Sequence, residues 1–396
     1  MLTRKQIVLL GAFTALAPLA IDMYLPAMPA LADDLAVSAR LAGQSVSIFL
    51  FGIAGGQLIA GPLSDRFGRK PTIVVGLLLF TVSALLAALT QNFTMLLVTR
   101  LLQALGACAV MVSGRAVVRD RLDSRESARL FSLLALIGGL APVLAPMVGA
   151  MLIRFGDWRI IFLVMAGLSL VMFIFTLPFL SESRSAETAA NARGEHPFMA
   201  YWTLIVNKQL LGYLLAAAFN SAAFFSYVAN SSTVLIDGFG ITPQVFSILF
   251  ALNAVGLVAA NQFNRYLLKS RSPEAVLRGS GRNAIVVALL LFAFAMTGAG
   301  GLPTLVILLF IVVASIAPVQ ANTMAGGLAV DGLRSGSTAA LFGATTFAAG
   351  AVASWIAGLL YRGNGAGLAI VASVCLLGSA IAIFTLIDSN KNMERS

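Results

Sequence analysis

The chain has 396 residues, 59% of them hydrophobic and only 11% charged. A water-soluble protein carries roughly 25% charged residues, so the deficit excludes a soluble domain and makes a bilayer the solvent of this chain. The formal net charge of +10 is no sign of nucleic-acid binding, because Lys and Arg fall in short clusters between apolar runs and build no sustained basic face.

A hydrocarbon core about 30 Å thick takes about 20 apolar residues at 1.5 Å each to cross, and runs of that length recur. Spans are expected at 7–31, 41–63, 72–90, 94–116, 129–153 and 158–180, and again at 209–233, 243–266, 281–299, 303–325, 336–361 and 365–388. The first follows Arg4 and Lys5 but is long and has many successors, so it reads as a retained span and not a cleaved signal. The stretch 181–208, rich in Ser, Ala, Glu and Arg, reads as a flexible linker between a six-helix half at 1–180 and another at 209–396. Within it Pro197 to Leu204 is apolar and aromatic, and is expected to lie along the membrane interface as a short helix. The fold class is therefore an all-α membrane protein with twelve transmembrane helices.

Lys and Arg are retained on the cytoplasmic side of a span. One set of alternate loops holds only Arg40, Arg154, Arg159 and Arg362, Arg100 lies inside a span, and the other set holds the rest. Both termini are thus expected in the cytoplasm. The outer loops are short, so any binding site must lie among the helices.

Metal and redox chemistry find no support. Cys108 and Cys375 sit in apolar runs of different halves, without ligand spacing, and read as packed thiols. The single His196 has no second metal-type residue near it, which removes a zinc site or a Ser-His-Asp site. No metal or cofactor is expected.

Of the sixteen acidic residues, only Asp22 lies well inside a span. A charge there costs roughly 2.5 to 3.5 kcal/mol on insertion scales and persists only where it faces protein or a wet cavity. Arg100 is the corresponding lone cation. Counted from the outer span ends at 1.5 Å per residue, the two lie about 13 and 9 Å deep, so a pair across helices 1 and 4 is expected; a static buried ion pair and a snorkelling side chain are the structural alternatives. Pro26 and Pro29 follow Asp22 and bend or end the helix. In helix 5, Pro142, Pro146 and Gly149 combine bending with close packing, though packing alone also explains them.

Helices 7 and 8 carry Phe219, Asn220, Phe224, Phe225, Tyr227, Asn230, Phe246, Phe250 and Asn253. Flat apolar walls with neutral amides suit varied drug-like ligands, and aromatic faces attract cations. Met23, Met111 and Met324 add deformable surface. The substrate cavity is accordingly expected to involve Met23, Tyr24, Gln103, Met111, Asn220, Phe224, Tyr227 and Asn253.

Between spans 2 and 3 runs Gly61-Pro62-Leu63-Ser64-Asp65-Arg66-Phe67-Gly68-Arg69-Lys70-Pro71, which resembles the signature loop of the major facilitator superfamily. The resemblance implies two pseudo-symmetric six-helix bundles and a gating loop of Gly61, Asp65, Arg66, Gly68, Arg69, Lys70 and Asp120. Asp65 would approach the start of helix 11 near Gly336, and Arg69 would bridge to Asp120. Arg100 to Gly106 is similar to the helix 4 motif of the drug:proton antiporters, with Ala104 in place of a usual glycine. The helix 5 prolines and Gly149 resemble the antiporter motif, although Ala141 and Ala150 depart from its glycines. Ile21 to Pro29 resembles the helix 1 motif of the Bcr/CflA group, the bicyclomycin and chloramphenicol resistance exporters. What this implies is a proton-coupled multidrug antiporter of the bacterial inner membrane, monomeric, with small hydrophobic or cationic substrates, protons and membrane lipids as its partners. Asp22 would respond to protons with Arg100 as its partner. The alternatives are a major facilitator transporter of a natural metabolite such as an amino acid or sugar, a membrane-embedded enzyme, which lacks clustered nucleophiles, and a receptor.

Overall fold

A computed structural model describes residues 2–185, 197–330 and 334–387. His196 and linker residues 186–195 lie outside the described residues. Every regular element among the described residues is helical, and twelve helices there are long and apolar enough to cross a membrane. We label the main segments α1 (Arg4–Asp22), α2 (Gln44–Phe67), α3 (Arg69–Leu89), α4 (Phe93–Arg121), α5 (Ser124–Leu152) and α6 (Arg159–Phe179), then α7 (Lys208–Ser232), α8 (Pro243–Leu267), α9 (Pro273–Thr297), α10 (Gly301–Val330), α11 (Ser335–Leu359) and α12 (Ala366–Leu386). The short helices Met28–Asp34, Ala39–Ala42 and Pro197–Ile205 stay unlabelled.

Local chemistry sets the helix starts. Thr3 and Gln6 form a capping box at α1, each side chain accepting the other's backbone N–H. Asn92, Asp123, Asn207 and Ser272 cap α4, α5, α7 and α9 with side-chain oxygens, satisfying N–H groups that lack a partner at any helix start. Gly298, left-handed at φ +64°, ends α9.

Two compact units are described: residues 1–195 with 243–251, and residues 196–242 with 252–396. In the first, α2 and α3 each pack closely along α4 and much less on one another. Glycine makes this approach possible, since a Cβ on Gly106 would stand 2.6 Å from the carbonyl oxygen of Gly76. In the second, α7 packs against α10, α11 and α12, and α9 against α10 and α12. At one end of that unit a π-helical turn, Thr233–Gly238, extends α7. There the Tyr361 hydroxyl donates to Asp237 Oδ2 at 2.6 Å and to the Thr233 carbonyl at 3.2 Å.

The Pro197 to Leu204 stretch is helical as expected, with Tyr201 and Leu204 buried and Trp202 exposed. Both cysteines are free and buried.

Candidate functional site

The expected first span is not one helix. α1 ends at Asp22, a 3-10 turn covers Leu25–Ala27, and a short helix covers Met28–Asp34. Pro26 and Pro29 each sit in the first turn of these new pieces, where a missing N–H costs no bond and the fixed φ suits the start. The prolines therefore restart the chain and do not kink a continuous helix.

A helix that stops leaves its last carbonyls without intrahelical donors. Arg100 serves one of them, its Nη2 donating to the Ala20 carbonyl at 2.8 Å. Its Nη1 donates to Gln103 Oε1 at 2.5 Å, and its guanidinium lies 4.3, 4.6 and 5.7 Å from the ring centroids of Phe49, Tyr24 and Phe162. Aromatic faces substitute here for a counter-ion. The residue is wholly buried, and its Nε has no partner. The Met23 carbonyl lies against Gly149 of α5, where any added Cβ would strike the oxygen. The broken end of α1 is thus received by an arginine of α4 and a glycine of α5.

Asp22, at the break, is only 5% exposed. Among the described residues its carboxylate has no hydrogen bond or ion pair. The expected pairing of Asp22 with Arg100 does not occur: no ion pair joins them. The physical reason is that the guanidinium directs its donors to the Ala20 carbonyl and Gln103 and is wedged among three rings.

The residues expected around a cavity divide into two groups. Met23, Tyr24, Gln103 and Met111 are buried in the first unit. Tyr24 shares a 3.0 Å hydrogen bond with Ser45, and Gln103 Nε2 approaches Met165 Sδ at 3.7 Å, so in this conformation these two secure Arg100. In the second unit Asn253 Nδ2 donates to the Tyr227 hydroxyl at 2.6 Å, joining α7 to α8. Asn220 is buried with an unpartnered Oδ1, and the half-buried Phe224 ring stands 5.1 Å from Phe225. Beside Asn220, Ser221 donates to Gln320 Oε1 of α10 at 3.2 Å. Sequence reasoning passed over Gln320 and over Asn322, which donates to Asn264 at 2.9 Å; the signal was two amides just after Pro318 in an otherwise apolar span.

The gating loop is a tight α2–α3 turn at Gly68, whose φ of +110° disfavours any side chain. Arg69 is buried and donates from Nε to Asp120 at 3.0 Å and from Nη1 to Ser64 at 3.1 Å and to Asp65. Lys70 Nζ donates to the Leu177 carbonyl at 2.8 Å. Arg66 is exposed over the Phe67 ring, and Gly61 has open space beside it. In α5, Pro142 and Pro146 lie inside the helix, each removing one backbone hydrogen bond.

The sequence did not point to a strap over this turn. The beginning of the expected flexible linker is held. Glu182 accepts the backbone N–H of Arg69 at 3.0 Å and of Lys70 at 3.2 Å, placing a carboxylate on the N-terminus of α3, where the helix dipole favours it. Arg184 Nη1 donates to the carbonyls of Asp65 and Arg66 at 3.1 and 2.5 Å, capping the C-terminus of α2 with a cation. Arg121 Nη2 donates to Ser181 Oγ at 2.6 Å, and Ser183 Oγ to Asp120 at 3.0 Å. Partial burial pushes the Glu182 carboxyl upward, but the backbone N–H groups of Arg184, Arg69, Lys70 and Ser183 outweigh it and hold the group below the usual glutamate range. The alternation of Glu182 and Arg184 just after span 6 was the available clue.

Residues 10–332 match the family model of the Major Facilitator Superfamily. The chain belongs to this superfamily. Its major facilitator relatives include an uncharacterized MFS-type transporter, YdgK, of Bacillus subtilis, 34% identical over 89% of this chain and 88% of that one. A bicyclomycin resistance protein homolog of Haemophilus influenzae is 29% identical over 97% of this chain and 96% of its own length. The multidrug resistance protein MdtL of Klebsiella pneumoniae is 30% identical over 67% of each. These relatives agree with the Bcr/CflA resemblance of the helix 1 motif. Among solved structures, a D-xylose-proton symporter superposes with a TM-score of 0.75 at 14% identity, covering 97% of this chain and 98% of that one, which shows the fold. The major facilitator chain is a multi-pass membrane transporter and not an enzyme.

Proposed function

We propose that this transporter is a proton-coupled exporter of small drug-like molecules in the bacterial inner membrane, with both termini cytoplasmic, working by alternating access. One observation carries the reading: Asp22, the lone acid well inside a span, stands at the point where α1 breaks, and among the described residues its buried carboxylate has no hydrogen bond or ion pair. A carboxylate with no fixed partner is free to exchange its proton with an aqueous pocket. Arg100 acts as a positioning residue, fixing the carbonyl two residues before Asp22. The names of the bicyclomycin and multidrug resistance relatives support the substrate class.

Protonation of Asp22 from outside and drug binding from inside would exclude one another, so each cycle trades one for the other. The membrane potential supplies about 2.3 kcal/mol per elementary charge per 100 mV, enough to sustain a gradient of a neutral drug. Arg69, Asp65 and Asp120 form the latch at the signature loop, and Asp65→Ala should impair transport. The α7, α8 and α10 amides supply the neutral contacts to substrate.

The decisive test is drug uptake driven by a proton gradient in inverted membrane vesicles. Asp22→Asn should abolish the dependence on the proton gradient while leaving drug binding measurable. Coupling equal to that of the unaltered protein would remove Asp22 from the mechanism.

A further inference from the structure

Between α2 and α3 lies an apolar crevice of about 480 Å³, floored by Gly56, Gly76, Leu105 and Ala109 and reaching Phe67 at the α2–α3 turn. It exists because α2 and α3 each sink onto α4: a Cβ on Gly56 would stand 2.8 Å from Cys108 Cβ, and one on Gly76 would stand 2.9 Å from the Gly106 carbonyl. Two helices pulled separately onto a third leave a gap between their outer faces.

We propose that this crevice holds one acyl chain of an anionic phospholipid whose phosphate pairs with Arg66. The assignment rests only on the chain's spanning a membrane and is independent of what it transports. Length is the first argument. From Gly56 to Phe67 the crevice runs about 16 Å along α2 at 1.5 Å per residue, and one leaflet contributes about half of a hydrocarbon core about 30 Å thick. Chemistry is the second. Thr72 is the hydroxyl residue of the lining, and its Oγ1 is already bound to the Gly68 carbonyl at 2.8 Å. A drug pocket carries a few convergent polar groups; this lining offers none and suits plain hydrocarbon.

Charge complementarity at the mouth is the third argument. Arg69 is taken up by Asp65 and Asp120, Arg184 by carbonyls, and Lys70 by the Leu177 carbonyl. Arg66 differs. Among the described residues its guanidinium has no hydrogen bond or carboxylate and stands 5.5 Å from the centroid of Phe67, whose exposed ring borders the crevice. A cation at the end of a leaflet-long apolar groove is arranged as the two parts of a phospholipid are, and basic residues near the surface attract anionic headgroups.

The test is native mass spectrometry of the purified full-length protein titrated with dioleoyl phosphatidylglycerol and, in parallel, with dioleoyl phosphatidylcholine of the same chains. The unaltered protein should retain one phosphatidylglycerol in preference to phosphatidylcholine. Arg66→Gln should lower phosphatidylglycerol affinity about fivefold and leave phosphatidylcholine unchanged, whereas Arg66→Lys should keep the preference. Ala109→Phe, which fills the floor, should weaken both lipids. Equal phosphatidylglycerol affinity in Arg66→Gln and the unaltered protein overturns the proposal. So does retention of glycerol phosphate, which has no tail, as strongly as the lipid, or displacement of the lipid by ethidium at equal concentration. Should Ala109→Phe fail to fold, the contrast between Arg66→Gln and Arg66→Lys decides alone.

Discussion

Gly149 of α5 allows a direct test of how the break in α1 is seated. An alanine there places its Cβ against the Met23 carbonyl oxygen, a backbone atom that cannot rotate aside. Gly138, three turns earlier on the same helix, is the matched control, because its added Cβ would find only Thr14 Cγ2 at 3.5 Å, an ordinary contact. Both substitutions gain about 1 kcal/mol of helix propensity. Only Gly149→Ala adds the cost of overpacking, about 1–3 kcal/mol. Gly138→Ala should therefore be neutral or stabilising, and the two variants should differ by about 1–3 kcal/mol in denaturant unfolding of the detergent-solubilised protein. Exchange in proteoliposomes should fall in Gly149→Ala alone, because the displaced carbonyl follows Asp22 directly in the chain. Equal stability of the two variants would show that α1 does not rest on Gly149 and would refute this account of the break.

Arg69→Lys should cost about 1.5–3 kcal/mol by losing the fork that reaches Asp120, Asp65 and Ser64 together; thermal unfolding compared with Arg69→Ala measures how little the bare charge restores. Glu182 has its folded pKa depressed, so its stabilisation is full above the unfolded glutamate pKa and fades as pH falls through the lower folded value. Because the residue is exposed, Glu182→Gln should cost no more than about 1 kcal/mol at neutral pH, and the difference from the unaltered protein should vanish in acid when both are melted across pH. Tyr361→Phe removes the bonds to Asp237 and to the Thr233 carbonyl, and should raise hydrogen exchange in the Thr233–Gly238 turn at a cost of about 1–2 kcal/mol.

Most of the architecture was legible in the sequence. Each span must satisfy its backbone internally and bury apolar side chains in lipid, so the twelve helices and the short Pro197–Ile205 helix are written as local runs of residues. The signature loop was equally visible, since a glycine at positive φ and a fixed alternation of acid and base within a few residues is a local requirement. Asp22 and Arg100 stood out for the same reason: a charge in an apolar run is conspicuous without any knowledge of its neighbours.

What those charges touch was decided only in three dimensions. Arg100 passes over Asp22 and takes the Ala20 carbonyl, because that carbonyl is orphaned by a helix end at Asp22 and three aromatic rings, Phe49 of α2, Phe162 of α6 and Tyr24 of the turn after α1, enclose the guanidinium. Glu182 and Arg184 look like linker residues in one dimension, and become caps on two helix termini once the turn at Gly68 lies beside them. Composition and periodicity select the solvent and the helices through interactions within a few residues of each other. Partners more than a hundred residues apart, such as Arg69 and Glu182, depend on which helix faces meet, and that is settled by the packing of small residues such as Gly76 on Gly106 and Gly149 on Met23.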